Sequence, residues 1–166
     1  MDPRKESFIH IIEKNKGIIF KICNMYCKNK EDQKDLSQDI IVELWKSFDK
    51  YDPQYKLTTW IYRIALNVAI TYYRKSLTKK KHFSTMGFDF VNITAHELED
   101  NEEDIKLLRK FIDQLDEMNK ALMILYLEGN SHAEIAEILN ITATNVGTKI
   151  GRIKKTLKTN FQNIKK

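Results

Sequence analysis

Between Trp60 and Arg74, five side chains fall three or four residues apart: Trp60, Arg63, Asn67, Thr71 and Arg74. At helical pitch this spacing gathers an aromatic plane, two guanidiniums and an amide on one strip. Aromatic planes stack on unpaired bases, guanidiniums pair with phosphates or guanine edges, and amides read adenine edges. A core helix with one wet face would carry the same strip, so a second signal is needed. It lies near the other end, in Thr144, Asn145, Thr148, Lys149, Arg152 and Lys155. Short polar groups come first and cations follow, an order suited to a helix entering the major groove. A third set, Asp35, Asp39 and Glu43, aligns carboxylates at the same pitch, with Gln38 and Lys46 at its edges. Such carboxylates could bind a metal, but no convincing second set of ligands accompanies them. A solvated face or a docking surface is the expectation, with no metal or cofactor.

The elements that must position these groups are helices. Leu57 to Lys75 contains no Gly or Pro, and Thr58 or Thr59 is placed to cap its start. Ile61, Tyr62, Ala65, Leu66, Val68, Ala69, Tyr72 and Tyr73 give it a wide apolar face. Asp35 to Phe48 is amphipathic, with Leu36, Ile40, Ile41, Leu44 and Phe48 inward. Ser7 to Tyr26 is a further helix, weakened at Gly17, and Lys28 to Lys34 reads as a charged connector. Asp49 to Lys56 is a loop with Asp52-Pro53 turn chemistry and an aromatic, basic end in Tyr55 and Lys56. In the second half, Asp104 to Leu115 and Asn119 to Leu127 are helical. Gly129 is placed to end the latter in the left-handed conformation, and Ser131 with Glu134 forms a capping box. A short helix, a tight turn at Asn140 to Thr142 and a longer helix follow. Val146, Ile150, Ile153 and Leu157 stack on one face of that last helix. Two helices across so short a turn are the helix-turn-helix pattern.

Composition is that of a globular chain: 166 residues, 42% hydrophobic and 31% charged, enough for one domain or two small ones. The net charge of +5 and pI near 9.0 favour an acidic partner such as nucleic acid. No apolar run is long enough to span a membrane, and Met1 to Lys5 leads into no signal peptide, so a cytoplasmic location is expected. Cys23 and Cys27 sit four apart on a helix, poorly placed for a disulfide and without partners for a zinc set. They read as buried apolar residues. Charge is segregated along the chain. Arg74 to Lys81 is basic, His82 to Asp104 has seven acidic residues and no Lys or Arg, and Lys149 to Lys166 is basic again. The expected division is a first domain at 1–81, an acidic flexible linker at 82–104 and a second domain at 105–166. Such a linker could compete with DNA phosphate for the two basic surfaces.

In this order the parts resemble the extracytoplasmic-function sigma factors of bacterial RNA polymerase. DLSQDIIVELW at Asp35 to Trp45 is similar to the family's polymerase-docking helix. TTWIYRIALNVAITYYRK at Thr58 to Lys75 is similar to its promoter-melting segment. LDEMNKALMILYLEGNSHAEIAEILNIT, with the basic helix after it, is similar to its last domain. The resemblance implies an all-α protein of two small helical domains, the second containing the helix-turn-helix. It implies a dissociable polymerase subunit and not an enzyme, with core RNA polymerase, promoter DNA and an anti-sigma factor as partners. Asp35, Leu36, Gln38, Asp39 and Glu43 would dock on core polymerase. Tyr55, Lys56, Thr59, Trp60, Arg63, Asn67, Arg74 and Lys75 would face the minus-ten element, the loop from Tyr55 to Trp60 helping to hold an extruded base. Thr144, Asn145, Thr148, Lys149, Arg152 and Lys155 would read the minus-thirty-five element. Gly147 and Gly151 depart from the family's larger polar residues at these places. Two other classes stay open: a helix-turn-helix regulator that is not a polymerase subunit, and a metal-dependent nuclease built on Asp35, Asp39 and Glu43.

Overall fold

Asp2 accepts a hydrogen bond from the Arg4 N–H, and Pro3 follows at the first helical position, so α1 (Pro3–Tyr26) starts four residues before Ser7. The computed structural model describes residues 2–82 and 102–164. Gly17 is exposed and does not break α1, whose inner face buries Phe8, Ile19, Ile22, Cys23 and Tyr26. The connector expected at Lys28 to Lys34 is largely helix. Asn29 caps α2 (Lys30–Ser47), accepting from the Asp32 N–H at 2.7 Å. Glu31 and Asp32 complement the positive helix end, so charges that looked like a linker form a first turn. Leu36, Ile40 and Leu44 are fully buried. A 3-10 turn at Phe48–Lys50 and a short loop lead to α3 (Leu57–His82), which buries Ile61, Tyr62, Ala65, Leu66, Ala69 and Ile70. Each of these three helices packs on the other two. The Tyr72 hydroxyl donates to Asp32 Oδ1 at 3.2 Å, tying α3 to the start of α2; burial and the Asp32 carboxylate push its phenol up to about 12.

The second unit is α4 (Glu102–Asp113), α5 (Glu117–Leu127), α6 (His132–Leu139) and α7 (Ala143–Ile164). α4 begins inside the span expected to be linker, with Glu102, Glu103 and Asp104 in its first turn. The rest of that span, 83–101, lies outside the described residues, as do Lys165 and Lys166 of the basic end. Asp116 caps α5, accepting from the N–H groups of Met118 and Asn119. α5 is buried from Lys120 to Leu125 and forms the centre of this unit. It ends in a Schellman motif. Gly129 has φ 82°, its N–H donates to the Tyr126 carbonyl, and the Asn130 N–H donates to the Leu125 carbonyl, both at 3.1 Å. The capping box opens α6: the Glu134 N–H donates to Ser131 Oγ at 3.2 Å, and the Ser131 N–H donates to Glu134 Oε2 at 2.9 Å. Asn140, left-handed at φ 54°, turns the chain, and Thr142 Oγ1 accepts from the Asn145 N–H at 3.1 Å as α7 begins. Val146, Ile150 and Ile153 of α7 are buried and Leu157 half-buried. The all-α expectation holds, and the described residues contain no strand. Among them no helix is long and apolar enough to cross a membrane.

Candidate nucleic-acid interfaces

Packing of α3 onto α1 and α2 decides which part of its polar strip faces outward. Arg63, Asn67, Thr71, Arg74 and Lys75 are exposed. The Thr71 hydroxyl donates to the Asn67 backbone carbonyl at 2.8 Å, and the Asn67 side-chain amide lies exposed between Arg63 and Arg74. Two expected contacts are placed otherwise. Thr59 is 7% exposed, because its position on the first turn points into the three-helix core. Trp60 is half-buried, its ring 5.2 Å from Tyr51 and 6.4 Å from Phe48. The aromatic that stands out is Tyr55, 58% exposed, with exposed Lys56 beside it.

On α2, Asp35, Gln38 and Asp39 are exposed and Glu43 is half-buried. Leu36 is fully buried, since it lies on the inward stripe with Ile40 and Leu44, and it offers no docking surface. Asp39 and Glu43 form one wall of an open groove of about 810 Å³ between α2 and α3. Asn67, Thr71, Lys75 and Lys79 form the other wall. The α2 wall also carries Asp32 and Lys46, the latter paired with Glu43 at 3.4 Å, so carboxylates and ammoniums share a single cleft. Val42, 49% exposed, gives this groove an apolar edge. Sequence reading missed it, although an apolar residue on the outer side of an amphipathic helix is a visible signal. Among the described residues, no group of three His, Cys, Asp or Glu side chains is placed to hold a metal ion.

In the second unit, Thr144, Asn145, Thr148, Arg152 and Lys155 lie exposed along α7, and Lys149 is half-buried. The Thr148 hydroxyl donates to the Thr144 carbonyl at 3.0 Å, so its methyl and its lone pairs are what it presents. A side chain built at Gly147 would first meet His132 Nδ1 at 3.5 Å, an ordinary contact. At Gly151 it would meet nothing within 4 Å. Lys154 leans on Tyr126, its ammonium 4.5 Å from the ring centroid and in contact with the hydroxyl. That contact ties α7 to the end of α5.

Both halves match known families. Residues 11–78 match Sigma-70 region 2, and residues 105–157 match Sigma-70 region 4. Across both, the chain is 24% identical over 174 residues to the ECF RNA polymerase sigma factor SigW of Bacillus subtilis (strain 168), covering 96% of this chain and 91% of that one. The chain belongs to the extracytoplasmic-function (ECF) sigma factor family. A second ECF relative, SigX of the same organism, is 25% identical over 142 residues, 81% of this chain and 73% of that one. Two solved structures share the fold. One is CnrH in complex with the cytosolic domain of CnrY, with a TM-score of 0.68, 18% identity and coverage of 96% and 90%. The other is the sigma factor RpoE with the anti-sigma factor NepR from Bartonella quintana, with a TM-score of 0.70, 16% identity and 98% coverage of both chains. In ECF terms, α1 to α3 carry region 2 and α4 to α7 carry region 4.

Proposed function

We propose that this chain is an alternative sigma factor that binds core RNA polymerase and directs it to a distinct set of promoters. One observation carries the reading: regions 2 and 4 occur in order on one chain, and each keeps an exposed polar face over an apolar core. A helix-turn-helix regulator would account for α6 and α7 but not for the three-helix region 2. The α2 face at Asp35, Gln38, Asp39 and Glu43 serves as the polymerase-docking surface, with Val42 as its apolar element. Arg63, Asn67, Arg74 and Lys75, with the turn at Tyr55 and Lys56, face the minus-ten element. Thr144, Asn145, Thr148, Lys149, Arg152 and Lys155 read the minus-thirty-five element. Region 2 lies on α1 to α3 and region 4 on α4 to α7, joined by the acidic span between them. The polymerase performs the chemistry; this subunit performs none and works in the cytoplasm beside it. An anti-sigma factor is the natural inhibitor, as the NepR complex of a protein with the same fold suggests. Run-off transcription with core polymerase on genomic fragments, with and without this protein, tests the reading. Discrete new transcripts that depend on the added chain are expected; their absence would overturn it.

A further inference from the structure

The turn before α3 is held more firmly than a six-residue connection requires. Asp52 closes it twice: the Gln54 N–H donates to Asp52 Oδ1 at 2.9 Å, and the Tyr55 N–H donates to the Asp52 carbonyl at 3.1 Å. The Tyr51 hydroxyl then reaches across and donates to the Tyr55 carbonyl at 2.9 Å. Behind the turn is a wall of rings. Tyr51 and Phe48 flank Trp60, and Phe48 and Trp45 each meet Phe8 edge-on at 5.3 and 5.0 Å. The Arg4 guanidinium covers Trp45 at 4.3 Å and pairs with Asp49 at 2.7 Å. The indole of Trp60 is thus held among rings, whereas Tyr55 is 58% exposed and its ring packs on no other ring among the described residues.

We propose that Tyr51 is a positioning residue for promoter opening. Its hydroxyl fixes the Tyr55 carbonyl and so the direction in which the Tyr55 ring leaves the turn, where that ring stacks on an unpaired base. Trp60 is the backing against which Tyr51 leans. Stacking on an aromatic tolerates every base, because every base has a π-face. With the Tyr55 N–H and carbonyl both fixed, the backbone that carries the ring is already ordered when the base arrives, and only the side-chain rotation remains to be lost. Lys56, next along the chain and exposed, supplies a cation for the adjoining phosphate. The inference rests on the proposed function, in which this turn faces the minus-ten element.

The test uses holoenzyme made from core polymerase and the full chain, on a promoter identified by run-off transcription. Transcription is compared between the duplex promoter and the same promoter pre-opened at the minus-ten element. 2-Aminopurine in the non-template strand reports base capture. Tyr51→Phe removes one oxygen and keeps the ring on Trp60. It is expected to lower the duplex-to-pre-opened ratio about 3- to 10-fold, the size of one neutral hydrogen bond, and to weaken the 2-aminopurine change. Tyr55→Ala is expected to lower the ratio further, because it removes the ring itself. A Tyr51→Phe holoenzyme with the original ratio and fluorescence would overturn the positioning role. So would equal loss on both templates accompanied by a fall in melting temperature, the result of a purely structural tyrosine. A Tyr55→Ala holoenzyme with the original ratio would remove the stacking platform. If the unaltered chain gave no promoter-specific transcripts at all, the proposed function itself would have failed, an outcome visible before any variant is made.

Discussion

Lys120 is 3% exposed, next to an unbroken apolar run from Ala121 to Leu125. Burial lowers its pKa, while Asp113 and Glu117 act in the opposite direction. In the unfolded chain the ammonium keeps its proton up to the ordinary value of about 10.4. In the folded chain it releases the proton earlier. Between the lowered value and the ordinary one, the unfolded state binds more protons, so stability rises with pH. Below that window, the folded state carries the cost of a desolvated ammonium. Lys120→Met keeps an unbranched stem without the charge. It is expected to leave stability at neutral pH unchanged or higher, and to remove the alkaline rise contributed by this group. Urea melts of both chains at pH 7 and in the alkaline window check this. A Met variant clearly weaker at pH 7 would mean that the contacts of the ammonium outweigh its desolvation.

At the scale of one helix, α7 carries two glycines that its own packing does not require. Nothing lies within 4 Å of a side chain at Gly151, and at Gly147 only the His132 ring comes near. Glycine in a helix interior is about 0.5–1 kcal/mol less favourable than alanine. Gly151→Ala is therefore expected to stabilise the second unit by that amount. If the bare backbone serves a close approach to DNA, the same variant weakens binding to the upstream element; thermal melting and a DNA titration report the two effects separately. The helices themselves were legible in the sequence because their signals are local. Ser131 with Glu134, Gly129 before them, and the stripe Val146, Ile150, Ile153 each name a cap or a face within a few residues. The start of α2 is not legible in this way, because the charges from Lys30 to Lys34 look the same in a linker as in a capped first turn. Exposure was harder still. Trp60 lies on the outer strip by spacing, and Thr59 joins the minus-ten set by resemblance, yet Trp60 is held by Tyr51 and Phe48 and Thr59 is buried. Only the packing of a neighbouring loop and helix decides that, and neither is written in the local sequence.

For the molecule as a whole, polymerase binding and folding are expected to separate. Asp39 is exposed on α2, across the groove from Lys75, while folding depends on the opposite face of that helix at Leu36, Ile40 and Leu44. Surface substitutions away from the core usually change stability by less than about 0.5 kcal/mol, whereas desolvated interface contacts are often worth about 2 kcal/mol or more. Asp39→Arg is expected to weaken binding to core polymerase by an amount of that larger order and to leave the melting temperature near its original value. A core pull-down with undiminished recovery would take Asp39 out of the interface. The net charge of +5 gives the free chain a general attraction to DNA, which salt screens. Under the proposed function, promoter choice comes from the exposed side chains of α3 and α7, and its salt dependence is expected to be weaker than that of the general attraction.

Cys23 and Cys27, the chain's two cysteines, are both buried in the three-helix unit, and burial pushes the Cys23 thiol up to about 11. An alkylating reagent needs both access and a thiolate; burial denies access to both thiols and, at Cys23, the thiolate as well. The pair is consequently a clock already built into the chain. Each label that enters at neutral pH marks an opening of the first unit, while the cysteine-free second unit stays silent. Core polymerase seated on α2 would slow that clock by RT ln(1 + [core]/Kd), expressed as a change in opening free energy. The affinity of the assembly would then be readable from the chemistry of two sulfurs buried in the core of the first unit.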